Sequence, residues 1–131
     1  MKFSAHVQNT ASHHEILLKV GEKQESIAIA PRPTGGSSIT GGELLFLALA
    51  TCYCNDIYRE ANKRGIKVDS VQVEVNGDFE SEGQPANNIT YQAKVKAQAS
   101  DEEIIDLLKH TDTVAEIQNT LRKATPVTLL I

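Results

Sequence analysis

Cys52 and Cys54 lie one residue apart in the stretch ELLFLALATCYCNDIY, residues 43–58, and the chain has no other cysteine. A thiol can act as a nucleophile, a redox group or a metal ligand. The apolar run around the pair reads as helix, and there the spacing works against joint chemistry. Residues two apart on a helix point to nearly opposite sides. Cys52 and Cys54 therefore cannot bond to each other without breaking the helix, and a two-thiol metal grip fails for the same reason. Cys52 shares a face with Leu45, Leu49 and Asp56; Cys54 shares one with Ala50, Ile57 and Tyr58. Neither lies near the helix N-terminus, so the macrodipole does little to lower a thiol pKa. On spacing alone, each Cys is a small packing residue.

The other chemistry-bearing residues are weaker. His13 and His14 fall in a strand pattern and point to opposite faces. His6 lies in another strand, and His110 falls at the end of a helix. No His/Cys spacing fits a zinc site, so no metal and no cofactor is expected. Arg59 and Arg64 read as solvated or paired with Glu60 and its neighbours. Arg32, flanked by prolines ahead of the helix, is the candidate cation for a thiol. The glycines of TGGSSITGG are not followed by Gly-Lys-Ser/Thr, which argues against a phosphate loop.

The elements that would position these residues follow from periodicity. KFSAHV, HHEILLKV and ESIAIA alternate as three short antiparallel strands, with a turn at Gly21-Glu22-Lys23. PRPTGGSSITGG is a loop. Thr40 with Glu43 three places on is a capping box, and the helix it opens stops at Gly65. The first half of that helix is apolar on nearly all sides and should be buried on nearly all sides. VDSVQVEVNGDF and NNITYQAKVKAQAS form a second hairpin. SDEE, from Ser100, caps a short helix; Thr113 and Glu116 repeat the device for another carrying Val114, Ile117 and Leu121. TPVTLLI should close the chain as a strand. The order βββ–α–ββ–α–α–β means an α+β fold, antiparallel sheets around a long buried central helix, in a single domain over residues 1–131. Covering that helix calls for a second subunit, hence a homodimer.

The 131 residues suffice for a core without disulfide or metal. The net charge of −4, with no basic stripe, argues against nucleic acid. The longest apolar run is too short for a bilayer, and no signal segment opens the chain. A cytoplasmic protein with reduced thiols is expected.

GGELLFLALATCYCNDIYREANKRGI resembles the central helix of the OsmC/Ohr family. VDSVQVEVNGDF with YQAKVKAQAS resembles the family's next hairpin, and VAEIQNTLRKATPVTLLI its closing helix and strand. The resemblance runs from Gly41 onward and implies an intertwined homodimer. It also implies a peroxidase that reduces organic hydroperoxides: a helix thiolate attacks the O–O bond, a second Cys condenses with the sulfenic acid, and a dithiol recycles the disulfide. The reacting Cys falls on Cys52 rather than Cys54. The resolving Cys falls on Ala115 and the Pro after it on Glu116, so an external thiol reductant would be needed, unless Cys54 were presented by an unwound helix or by the partner subunit. The family's substrate-steering Arg has no counterpart before Arg32. Glu43 lies one residue out of register with a carboxylate that orients that Arg in some members, and capping accounts for it without catalysis. Two readings result: a one-Cys peroxidase acting through Cys52, or a non-catalytic dimer that binds a small hydrophobic ligand.

Overall fold

Alternation at the start of the chain becomes a three-stranded antiparallel sheet in the order β1-β2-β3: β1 Phe3–Asn9, β2 His14–Val20 and β3 Lys23–Ser26. The computed structural model describes residues 1–131 as two units, residues 1–44 and 45–131. Val20 pairs with Lys23, and Gly21 turns the hairpin at φ +56°. The third strand is shorter than the alternation of ESIAIA implies. Ile27–Ala30 leaves the ladder after the Leu17–Ser26 pair and leads into the proline-containing loop. A tight loop replaces it, closed by Ser38 N–H to Ala30 O at 2.9 Å and Arg32 N–H to Gly36 O at 2.9 Å. The Asn9 amide ties the loop to β1: it accepts from Gly36 N–H at 2.8 Å and donates to Gly36 O at 3.0 Å.

The long helix α1 spans Gly41–Lys63. Its start is the expected box: Glu43 N–H donates to the Thr40 hydroxyl at 3.2 Å, and Thr40 N–H to the Glu43 carboxylate at 2.7 Å. Gly65, at φ +67°, ends it. Its buried stripe is Leu49, Tyr53, Asp56, Ile57, Glu60 and Ala61. Burial on nearly all sides is not met within one chain, since Leu47 is 59% exposed and Leu44 36%.

β4 Val68–Asp78 and β5 Asn87–Ala97 pair antiparallel, with Val71 opposite Val95, Val73 opposite Ala93 and Val75 opposite Tyr91. That period-2 face packs on a core of Tyr53, Ile57, Ala61, Ile66, Leu107 and Ala115. α2 spans Asp101–Val114, capped by Ser100 and Glu103 in both directions as the sequence implies. α3 spans Glu116–Arg122 and has Ala115 at its N-cap, with no side-chain cap. The expected Thr113/Glu116 box does not form: α2 runs on through Thr113, whose hydroxyl donates to His110 O. The expected closing strand is also not formed. Residues 123–125 bond back onto the end of α3, and residues 126–131 are exposed and join neither sheet; a strand without a neighbour has no ladder to hold it.

Leu107, fully buried, and Ile105, 53% exposed on the same helix, separate core from surface. Leu107→Ala should cost about 2–5 kcal/mol and Ile105→Ala within about 0.5 kcal/mol in urea unfolding. Equal costs would contradict this core.

Candidate thiol–carboxylate site

Cys52 lies on α1 one turn before Asp56, and the helix spacing brings them together: the Cys52 thiol donates to Asp56 Oδ2 at 3.4 Å. The first residue of α3 supplies a second acceptor, with Glu116 Oε2 3.8 Å from Cys52 Sγ. Arg59, one turn beyond Asp56, binds both carboxylates. Its Nη1 is 3.0 Å from Asp56 Oδ1 and 2.9 Å from Glu116 Oε1. The same guanidinium donates through Nε to Glu60 at 2.8 Å. Glu60, 3% exposed, also receives Lys63 at 3.0 Å and is 2.9 Å from the His110 ring.

The charges set the protonation states. Burial pushes the Cys52 thiol above its ordinary pKa; the Ile117 backbone N–H opposes this, and Asp56 and Glu116 add to the rise. Burial, with the neighbouring Glu116, also raises Asp56 against the pull of Cys52 and Arg59. For Glu116, burial is outweighed by its own backbone N–H, Asp56 and Arg59, and its pKa falls. Between the two carboxyls a proton therefore favours Asp56. Arg59, then Lys63 and His110, hold Glu60 down at about 2. The arrangement keeps Cys52 as a thiol at neutral pH and sets proton acceptors directly beside it.

Cys52, Asp56 and Glu116 also offer one sulfur and two carboxylate oxygens within 4.8 Å of one another, a set that could hold a divalent cation. The Arg59 guanidinium already bridges the two carboxylates, so any cation would have to displace a positive charge.

Cys54 is half-buried and free, and it makes no hydrogen bond to this cluster. Glu43 spends its carboxylate on the cap, where the Thr40 N–H and hydroxyl lower its pKa. Arg32 lies against Gly36 in the first unit. The cation that binds the two carboxylates next to the thiol is Arg59. His13 meets Glu15 at 2.9 Å, and His14 bonds Asn9. Far from ending its helix, His110 sits inside α2 and meets Glu60. Ala115 is fully buried, and Glu116 directly after it reaches the thiol. Sequence reasoning missed Arg59 and Glu116 as neighbours of Cys52. The i, i+3 step from Asp56 to Arg59 was a signal for one; nothing local marked Glu116.

A long helix carrying this thiol, backed by a two-stranded sheet and two short helices, defines an α+β thiol protein. A family model described as OsmC-like protein matches residues 34–130. The chain belongs to the OsmC-like family. Its fold is similar to that of an OsmC-like protein from Mycoplasma pneumoniae, with TM-score 0.65 and 16% identity over 100% of both chains. An OsmC-like protein of unknown function from Vibrio cholerae gives 0.64 and 14%, over 92% of this chain and 93% of that one. An organic hydroperoxide resistance protein from Elizabethkingia anophelis gives 0.55 and 16%, over 93% and 89%. No curated protein matches the sequence significantly. No helix is long and apolar enough to cross a membrane.

Two outcomes follow. The pH midpoint for Cys52 alkylation should lie above the free-thiol value of about 8.5, and Glu116→Gln should lower it. A midpoint at or below that value in the unmodified protein would contradict the site. Glu60 is ionised more readily folded than unfolded, so its stabilisation is present above its unfolded pKa and fades as pH falls toward about 2. Glu60→Gln should therefore lower Tm clearly at pH 7 and little at pH 2; the reverse order would overturn the sign.

Proposed function

We propose that this chain is a Cys52-dependent peroxidase that reduces organic hydroperoxides, with an external thiol as reductant. The observation that carries the reading is Cys52 hydrogen-bonded to Asp56, with Arg59 and Glu116 completing the group. Membership of a family whose structural neighbours include organic hydroperoxide resistance proteins supports it.

The chemistry needs no group beyond these. The Cys52 proton passes to a carboxylate oxygen, and the sulfur attacks the terminal peroxide oxygen. The S–O bond forms as the O–O bond breaks. The alkoxide leaves and takes up a proton, giving the alcohol, while the sulfur is oxidised to sulfenic acid. One external thiol condenses with it and releases water. A second thiol reduces the mixed disulfide and restores Cys52. Ala115 supplies no sulfur, so both thiols come from outside. Because the resting thiol is held protonated, the rate should climb from pH 7 to pH 9.

The active form in this reading is a homodimer. The exposed Leu44 and Leu47 and the bare apolar tail of Val127, Leu129, Leu130 and Ile131 motivate it. A monomer by light scattering at micromolar concentration would remove it.

The raised Cys52 pKa and the buried Ala115 favour a second reading, in which the protein binds a small hydrophobic molecule and does not turn over. Steady-state consumption of cumene hydroperoxide with mono- and dithiol reductants separates the two. Turnover lost in Cys52→Ser supports the peroxidase; turnover equal to that variant in every reductant rejects it.

A further inference from the structure

The second unit has a pocket outside the Cys52 cluster. It has a volume of about 250 Å³ and is lined by Leu49, Ile89, Tyr91, Gln118, Leu121 and Arg122. Most of that lining is apolar. Gln118 is 3% exposed, and its Nε2 donates to Leu49 O at 3.1 Å. Its Oε1 is the one buried side-chain N or O atom without a hydrogen-bond partner. Turning the amide over would set two carbonyl oxygens against each other, so the Leu49 carbonyl fixes which atom is left over. Native folds seldom strand a buried acceptor, and one that does sit unpaired invites a donor from outside the chain.

The rest of the lining narrows what that donor can be. Arg122 Nη2 is 2.6 Å from Asp112 Oδ1, and Nη1 donates to Asp112 O at 3.0 Å. The Tyr91 hydroxyl donates to the same carboxylate. The Arg122 charge is thus already paired with Asp112, which leaves the pocket without an uncompensated cation. A neutral molecule with an apolar body and a single O–H or N–H donor fits both halves of the lining.

We propose that this pocket is a binding site for a small neutral apolar molecule carrying one hydrogen-bond donor, such as an alkylphenol or aliphatic alcohol, held by Gln118 Oε1. Gln118 Oε1 is itself buried, so binding in this way includes a movement of the Gln118 side chain that presents the oxygen to the donor. The site stands apart from the peroxidase reading and does not use the Cys52 sulfur.

The test titrates full-length protein, unmodified and as Cys52→Ser, with 4-propylphenol and with 4-propylanisole, which has the same body and no donor. Protein-detected NMR reads the binding. The phenol should saturate with shifts centred on Gln118, Leu121 and Leu49 in both proteins, and bind about five- to tenfold tighter than the anisole. Gln118→Leu should bring the two to equal affinity. Leu121→Trp, at a half-exposed position that tolerates bulk, should abolish both. Equal affinities in the unmodified protein, shifts centred elsewhere or no saturable binding of either probe would overturn the site. Loss of phenol binding in Cys52→Ser alone would overturn its independence from the thiol.

Discussion

One guanidinium holds the site together. Arg59 is the group that meets Asp56, Glu60 and Glu116 at once, and two of those carboxylates are almost wholly buried. A carboxylate withdrawn from solvent without a partner is costly, so each needs a cation. Arg59 therefore lets the second half of α1 turn Asp56 inward and shares Glu60 with Lys63 and His110. Through Glu116 the same cation reaches α3, and through Nη2 it touches the last carbonyl of α2 at 3.4 Å. The break between the two short helices is thus fastened to the long one at the turn where Cys52 sits.

That fastening decides how the thiol behaves. A thiolate is stabilised by cations and by helix N-termini. Cys52 has no cation in direct contact; the Ile117 N–H in the first turn of α3 draws its pKa down, but burial and the carboxylates outweigh that pull, and the cation nearby is already committed to them. The sulfur is therefore kept protonated and unreactive until a carboxylate takes its proton. Such a site suits a slow, base-assisted thiol more than a permanently ionised one. It also ties reactivity to Glu116, which stands where the family resemblance places a proline.

Local signals were legible wherever the chemistry is local. Thr40 with Glu43, Ser100 with Glu103 and Gly65 mark helix ends through contacts within three or four residues, and each is found in the structure. The valines of β4 and the alternation of β5 marked the second hairpin for the same reason. Readings failed where one local pattern competed with another. Thr113 and Glu116 have the spacing of a cap, but α2 continues past Thr113 and uses its hydroxyl. Ile27–Ala30 alternates like a strand, but the ladder already ends at Ser26 and the chain turns into the loop held by Ala30, Arg32, Gly36 and Ser38. TPVTLLI has a strand's composition and no strand beside it in the chain. At the site, Asp56 could be placed beside Cys52 by the helix period. Glu116 could not, because it lies 64 residues away and reaches the thiol only through the packing of α3 on α1.

The proposed peroxidase chemistry requires Cys52 to act as a nucleophile despite its acidic surroundings. The direct measurement mixes reduced protein with about one equivalent of cumene hydroperoxide, traps sulfenic acid with dimedone, and maps the adduct by mass spectrometry. The account predicts a single adduct, on Cys52, forming faster at pH 9 than at pH 7. Cys52 left reduced at both pH values, or an adduct on Cys54 instead, would contradict it.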